Sequence, residues 1–113
     1  MKPFLAAAAL AVLAVTGPAQ AGDRSRPAAC LLVVMGKTFI HDTCLFTPIG
    51  RDGSFEIASM NGKYFAQVLI NRPGRGSGYW NEVPYATHAH SPLGELRRED
   101  ACWVNAQVSV CAW

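Results

Sequence analysis

Ser54-Phe-Glu-Ile-Ala-Ser-Met60 and Lys63-Tyr-Phe-Ala-Gln-Val-Leu-Ile70, joined by Asn61-Gly62, decide the fold class. Both arms alternate in a way that suits a pleated strand, and Asn-Gly is the preferred pair for a two-residue type I′ turn. That turn sets a register in which Phe55 and Ile57 share a face with Tyr64, Ala66 and Val68. The other face carries Glu56 and Gln67 together with Met60, Phe65 and Leu69, so it is also partly covered. Arg51-Asp52-Gly53 marks the turn before the hairpin.

Outward from this hairpin the same pattern repeats. Cys30 to Cys44 reads as two strands around a three-residue loop at Gly36 to Thr38, which would set Cys30 across from Cys44. Cys102 to Cys111 reads as two strands around Ala106-Gln107, which sets Cys102 opposite Cys111. Opposed strand residues have Cβ atoms about 4.5–5.5 Å apart, within reach of a disulfide. Four cysteines allow three pairings, and this local geometry favours 30–44 and 102–111. Gly78 to Val83 and Leu93 to Arg98 are further short strands, separated by Pro84 to Pro92, which has neither strand nor helix pattern. Arg72 to Gly78 reads as a flexible Gly/Arg loop. No stretch carries an apolar stripe of helical period and length. The expectation is an all-β domain over residues 30–113, a small antiparallel barrel or sandwich of about six or seven short strands with two disulfides.

The N-terminus has a separate purpose. Lys2 precedes an unbroken apolar run from Phe4 to Val15, followed by Gly17-Pro18 and the small-residue site Ala19-Gln20-Ala21. Such a run is about 18 Å long as a helix, short of the roughly 30 Å hydrocarbon core, so it reads as a cleaved export signal over 1–21 rather than an anchor. Pro27-Ala28-Ala29-Cys30 lies too far beyond that run, past Asp23, Arg24 and Arg26, to serve as a lipidation site. Residues 22–29 are then a flexible lead-in. Export to an oxidising compartment agrees with an even cysteine count and with the lack of any C-x-x-C spacing.

Composition narrows the function classes. The 113 residues carry a formal net charge of only +2, with 16% charged residues. That excludes a polycationic nucleic-acid binder and an acidic disordered tail. The enzyme motifs also fail on inspection. Gly74-Arg-Gly-Ser-Gly78 has Arg75 where a G-x-S-x-G elbow needs glycine, and Tyr79 where G-x-G-x-x-G needs its last one. The cysteines are committed to bridges, and Glu82, Glu95, Glu99 and Asp100 form no distinctive carboxylate pair.

What remains is binding chemistry. Arg72 and Arg75 could clasp an anionic group, and Tyr79, Trp80 and Tyr85 offer flat faces to a protein or a sugar. His88 and His90, at i and i+2, point to one side of an extended segment and could begin a metal site, with His41-Asp42 as a third ligand and its orienting carboxylate. The sequence-level expectation is therefore an exported, non-enzymatic domain without cofactor, binding an envelope or secreted macromolecule through the Arg72–Trp80 and Tyr85–His90 segments. An inhibitor-like role is one form of it, and periplasmic metal binding through His88 and His90 is the alternative.

Gly78-Tyr-Trp-Asn81, His88-Ala-His-Ser-Pro-Leu-Gly94, Ala101-Cys-Trp-Val-Asn105 and Cys111-Ala-Trp113 resemble the corresponding stretches of a set of small exported bacterial proteins. The resemblance implies a small exported domain and carries over no catalytic residue. In size, export and disulfide-bonded β design the chain is also similar to the small periplasmic lysozyme inhibitors. Their Ser-Gly-x-x-Tyr-type loop is not matched, because Ser77-Gly78-Tyr79 is shifted.

Native material should begin at Gly22 and should take up no alkylating reagent until it is reduced. Intact-mass spectrometry before and after reduction checks both, and a retained Met1 or a freely alkylated cysteine would contradict them.

Overall fold

The computed structural model describes residues 24–113, so the export-signal reading of 1–21 lies outside the described residues. Eight strands follow one another in chain order: β1 (Arg26–Val34), β2 (Lys37–Ile49), β3 (Ser54–Ser59), β4 (Phe65–Arg72), β5 (Arg75–Trp80), β6 (Ser91–Glu99), β7 (Cys102–Val104) and β8 (Val108–Ala112). Each pairs antiparallel with its sequence neighbour, and β8 returns to β1 to close the barrel. The fold is all-β, a closed antiparallel barrel rather than a sandwich, with one strand more than the upper expectation. Among the described residues no helix is long and apolar enough to cross a membrane.

Alternation along each strand fills the bore. Leu32 of β1, Ile40 of β2, Ile57 of β3, Val68 of β4, Leu96 of β6 and Val110 of β8 all point inward and are 2% exposed or less. An eight-stranded barrel is just narrow enough for its own side chains to fill. The packing leaves no room for a Cβ on the inner face of β5. One placed on Gly76 would sit 2.8 Å from the Leu69 carbonyl oxygen, and one on Gly78 would sit 2.7 Å from Leu96 Cδ1 and 3.1 Å from Leu93 Cβ. Glycine alternates with Arg75, Ser77 and Tyr79 because the β4 backbone at Leu69 crowds Gly76 and the leucines of β6 crowd Gly78.

The 54–70 hairpin has the expected register, with Phe55 opposite Val68 and Ile57 opposite Ala66. Its turn differs. Only Gly62 of the Asn61-Gly62 pair takes a positive φ, so this is not a type I′ turn. Residues 60–63 form a longer loop, closed by Gly62 N–H to the Ser59 carbonyl and by Ser59 N–H to the Tyr64 carbonyl. The Asn61 carboxamide oxygen accepts from the Lys63 N–H and the Ser59 hydroxyl.

In the first hairpin the positive-φ pair is Met35-Gly36, giving a two-residue turn in place of the three-residue loop expected at Gly36 to Thr38. A bulge at Phe39 then shifts the ladder, and Cys30 faces Asp42 while Cys44 faces Ala28. The 30–44 disulfide still forms, diagonally, with Cα atoms 5.7 Å apart. In the last hairpin Cys102 is directly opposite Cys111, as expected, with Cα atoms 4.0 Å apart. Cys30–Cys44 lies in the core, whereas the alternation that turns Trp103 and Val110 inward puts Cys102–Cys111 on the outer face. Two such bridges are what an oxidising, exported location favours.

Two further expectations need correction. Arg26 to Ala29 pair with Thr43 to Phe46, so half of the stretch taken as a flexible lead-in is strand. The segment Arg72 to Gly78 is no loop either. Arg72 ends β4, Pro73-Gly74 makes the turn, and Arg75 already belongs to β5. Gly76 and Gly78, which signalled flexibility, are there for close packing, whereas Gly74 supplies the positive φ of the turn.

Replacing Gly78 by valine should destabilise the domain by about 1–3 kcal/mol, the usual cost of overpacking a filled core. Urea unfolding monitored by tryptophan fluorescence measures it, and an unchanged midpoint would contradict the packing described.

Candidate functional site

Antiparallel closure gives the barrel two chemically different ends. The loop end holds the β1–β2 turn, the 60–64 loop, the long segment 81–90 and the β7–β8 turn. The terminal end holds the β2–β3 turn (50–53), Pro73-Gly74, Asp100-Ala101, and both Arg24 and Trp113.

Aromatic side chains plug the loop end. Phe39, turned inward by its bulge, packs edge-on to Trp80 (4.6 Å between centroids) and to Tyr64 (5.1 Å). Trp80 is 4% exposed. It was expected as a contact residue and is a core residue instead, because β5 alternation carries it to the inner face above Gly78. Tyr79 is on the outer face of the same strand, opposite Gln67 and half-buried.

The segment 81–90 is ordered by one side chain. Asn81 is 1% exposed, and its Oδ1 accepts from the Phe65 N–H at 2.7 Å. Its Nδ2 donates to the Lys63 and Ala86 carbonyls at 3.1 and 3.0 Å. A buried amide satisfied on both sides can hold an otherwise irregular stretch in one shape. Tyr85 is exposed there at a positive φ of 66°. His88 and His90 do share a side, with rings 5.3 Å apart, and His88 Nδ1 lies 3.2 Å from the Thr87 hydroxyl. His41 does not join them. It is on β2 beside Asp42, with Nδ1 3.3 Å from the carboxylate, and opens on a different hollow. Among the described residues no group of three His, Cys, Asp or Glu side chains stands close enough to hold a metal ion.

The terminal end is the better candidate. All seven arginines of the chain (24, 26, 51, 72, 75, 97 and 98) fall at or beside it, with only Asp52, Glu99 and Asp100 as counter-charges among the described residues. Both described lysines, Lys37 and Lys63, are at the loop end. The arginines surround a cavity of about 740 Å³, within the range usual for ligand sites, roughly 300–1,000 Å³. Its floor is apolar, formed by Phe46, Phe55, Ile70 and Trp103, with Phe46 stacked on Phe55 at 5.3 Å. Its rim carries Arg26, Arg72 and Arg98 together with Asp52 and Asp100. The Arg26 guanidinium lies over the Phe46 ring, 4.6 Å from its centroid, a cation–π contact. Arg98 gives its Nε to the Asp100 carbonyl at 3.0 Å. Arg75 is on the outer wall across from Arg97, whose Nη2 is 3.0 Å from Glu99 Oε2.

The expected combination of Arg72 to Trp80 with Tyr85 to His90 is therefore not one surface. β5 runs the height of the barrel and separates Arg72 and Arg75 from Tyr85, His88 and His90. Arg26, Arg98, Phe46 and Trp103 belong with Arg72 and were not foreseen. A usable signal was present, since every arginine lies at a strand terminus or in a turn of the same parity. No protein-family model, curated protein or solved structure matches the chain.

Asp52 completes the rim electrostatically. The hydroxyl and the backbone N–H of Ser54 hydrogen-bond its carboxylate and hold it below the usual aspartate range, outweighing slight desolvation. Because the folded value is the lower one, this contact stabilises the β2–β3 turn above the unfolded aspartate range. The stabilisation fades as pH falls through the folded value. Carboxyl-resolved NMR titration should place the Asp52 midpoint below that of an ordinary exposed aspartate. Ser54→Ala should raise it, and identical midpoints in the two proteins would refute the assignment.

Proposed function

We propose that the protein is an exported, non-catalytic recognition domain whose binding face is the arginine-bearing end of the barrel, and that its partner is an anionic macromolecule of the cell envelope or exterior. The observation that carries this reading is the segregation of every arginine to the rim and surroundings of one apolar-floored cavity. Guanidinium groups are planar, always charged and less strongly hydrated than ammonium groups, which suits them to bidentate capture of carboxylate or phosphate at an interface. Clustering them at one end of a nearly neutral domain also steers a negatively charged partner to that end.

Export is supported by the signal-like N-terminus and by the disulfides. Non-catalytic recognition is supported by the state of the rim. A general acid or base is most effective with a pKa near the working pH, and Ser54 pushes Asp52 away from it. Apart from the exposed Asp100, the remaining charged and aromatic groups of the mouth are guanidiniums and rings, which suit contact chemistry.

Immobilised wild-type protein should recover a partner from envelope extract in a salt-sensitive manner. The double variant Arg72→Gln, Arg98→Gln should lose it, while Lys37→Gln, Lys63→Gln at the opposite end should keep it. Equal recovery by both double variants would place the binding face elsewhere.

A further inference from the structure

Resting on the reading above, we infer that the group received by the arginine-rimmed mouth is the free C-terminal carboxylate of a partner polypeptide, with the last apolar side chain of that chain seated on the aromatic floor. Three features of the mouth converge on this chemistry.

The charge balance comes first. Arg26, Arg72 and Arg98 face Asp52 and Asp100 around one opening, which leaves a single excess positive charge. One carboxylate matches that excess, and the further arginines at this end favour an anion there. Arg26 is placed over the Phe46 ring and Arg98 is anchored through its Nε, so both guanidiniums are positioned at the opening before an anion arrives.

The depth of the cavity comes second. Below Phe46, Phe55, Ile70 and Trp103 the bore is closed by Ile57, Val68, Leu96 and Val110, each 1% exposed or less. An apolar body that enters the mouth must therefore be short. One side chain on a terminal residue fits that limit, and a long acyl chain finds no channel to run into.

The third feature is the pair of acceptors. Asp52 holds the β2–β3 turn through Ser54 and, together with Asp100, also places carboxylate acceptors at the rim. A chain terminus arrives with backbone N–H donors beside its carboxylate, and these need acceptors once water is removed. Asp52 is kept ionised by Ser54, and Asp100 is exposed at the rim. Carboxylate, compact apolar group and adjacent N–H donors occur together at the end of a polypeptide, a group known to be captured by preset polar sites.

The experiment is an NMR titration of the disulfide-bonded mature chain with four probes: N-acetyl-L-phenylalanine, its amide, N-acetylglycine and decanoate. N-acetyl-L-phenylalanine should saturably shift the Gly53, Ile70 and Gly74 amides and the Trp103 indole. The amide and N-acetylglycine should bind at least about tenfold more weakly, as loss of a charge-assisted pair or of the apolar group demands. Arg72→Gln and Arg98→Gln should each weaken the acid by a similar factor, with undisturbed spectra elsewhere, and Lys37→Gln should not. Equal binding of acid and amide would overturn the inference, as would preference for decanoate, which would assign the mouth to an acyl lipid. Absence of saturable shifts would overturn it too. If the envelope partner is nevertheless lost with the Arg72→Gln, Arg98→Gln protein, the arginine face stands and the C-terminal ligand falls. If the partner is retained as well, both fall.

Discussion

The bore of a closed eight-stranded sheet has a set width, and whatever lines it must fill it without crowding. That steric condition governs the rest of this molecule. It explains why β5 has glycine where its neighbours have leucine and valine, since the Leu69 backbone at Gly76 and Leu93 and Leu96 at Gly78 already occupy the space a Cβ would need. It explains why a bulge turns Phe39 inward at the loop end, where its ring joins those of Tyr64 and Trp80 to stopper the bore. At the opposite end Phe46, Phe55 and Trp103 line the wall without meeting across it, and a cavity remains. An open mouth therefore arises where packing stops one layer short.

Where the ladder runs out, side-chain amides take over from backbone pairing. β7 has three residues and pairs only with the last three of β6. The carbonyls of Leu93 and Glu95, left without a strand beside them, accept from Asn105 Nδ2 at 3.0 and 3.2 Å. Asn81 does the same for the 81–90 segment at the adjoining corner. Buried or half-buried backbone groups must find partners, and an asparagine that donates and accepts within one rigid plane satisfies several at once.

Much of this architecture was legible in the residues, for reasons that differ from element to element. The 54–70 and 102–111 hairpins were readable because their inner positions are apolar at strict period two, and a slip of one residue would turn the whole core face outward. That constraint preserved the first register even though its turn adopts another conformation. The 30–44 hairpin was read two residues out of register, because its turn sits at Met35-Gly36 rather than at Gly36 to Thr38, a displacement of three that the bulge at Phe39 reduces by one. A bulge leaves no mark in the alternation until the neighbouring strand is known. Arg72 to Gly78 was misjudged because glycine signals freedom in a loop and close approach in a sheet, and only Leu93 and Leu96 across the interface decide between them. The site was least legible. Arg26, Arg72 and Arg98 are far apart in the chain, and it is closure of β8 on β1 that brings the first and last strands into one rim.

Neither cross-link spans the seam between β8 and β1. Each ties strands adjacent in sequence, over separations of 14 and 9 residues. Every other strand pairing is between neighbours as well. Wherever the chain emerges N-terminus first under oxidising conditions, Cys44 can bridge Cys30 before Cys102 or Cys111 is present to compete for it. Hairpins then accrue in order of arrival, with little loop-closure entropy lost at each step. Only docking of the final strand onto the first demands a contact across the whole length of the domain, and vectorial delivery makes that the last event.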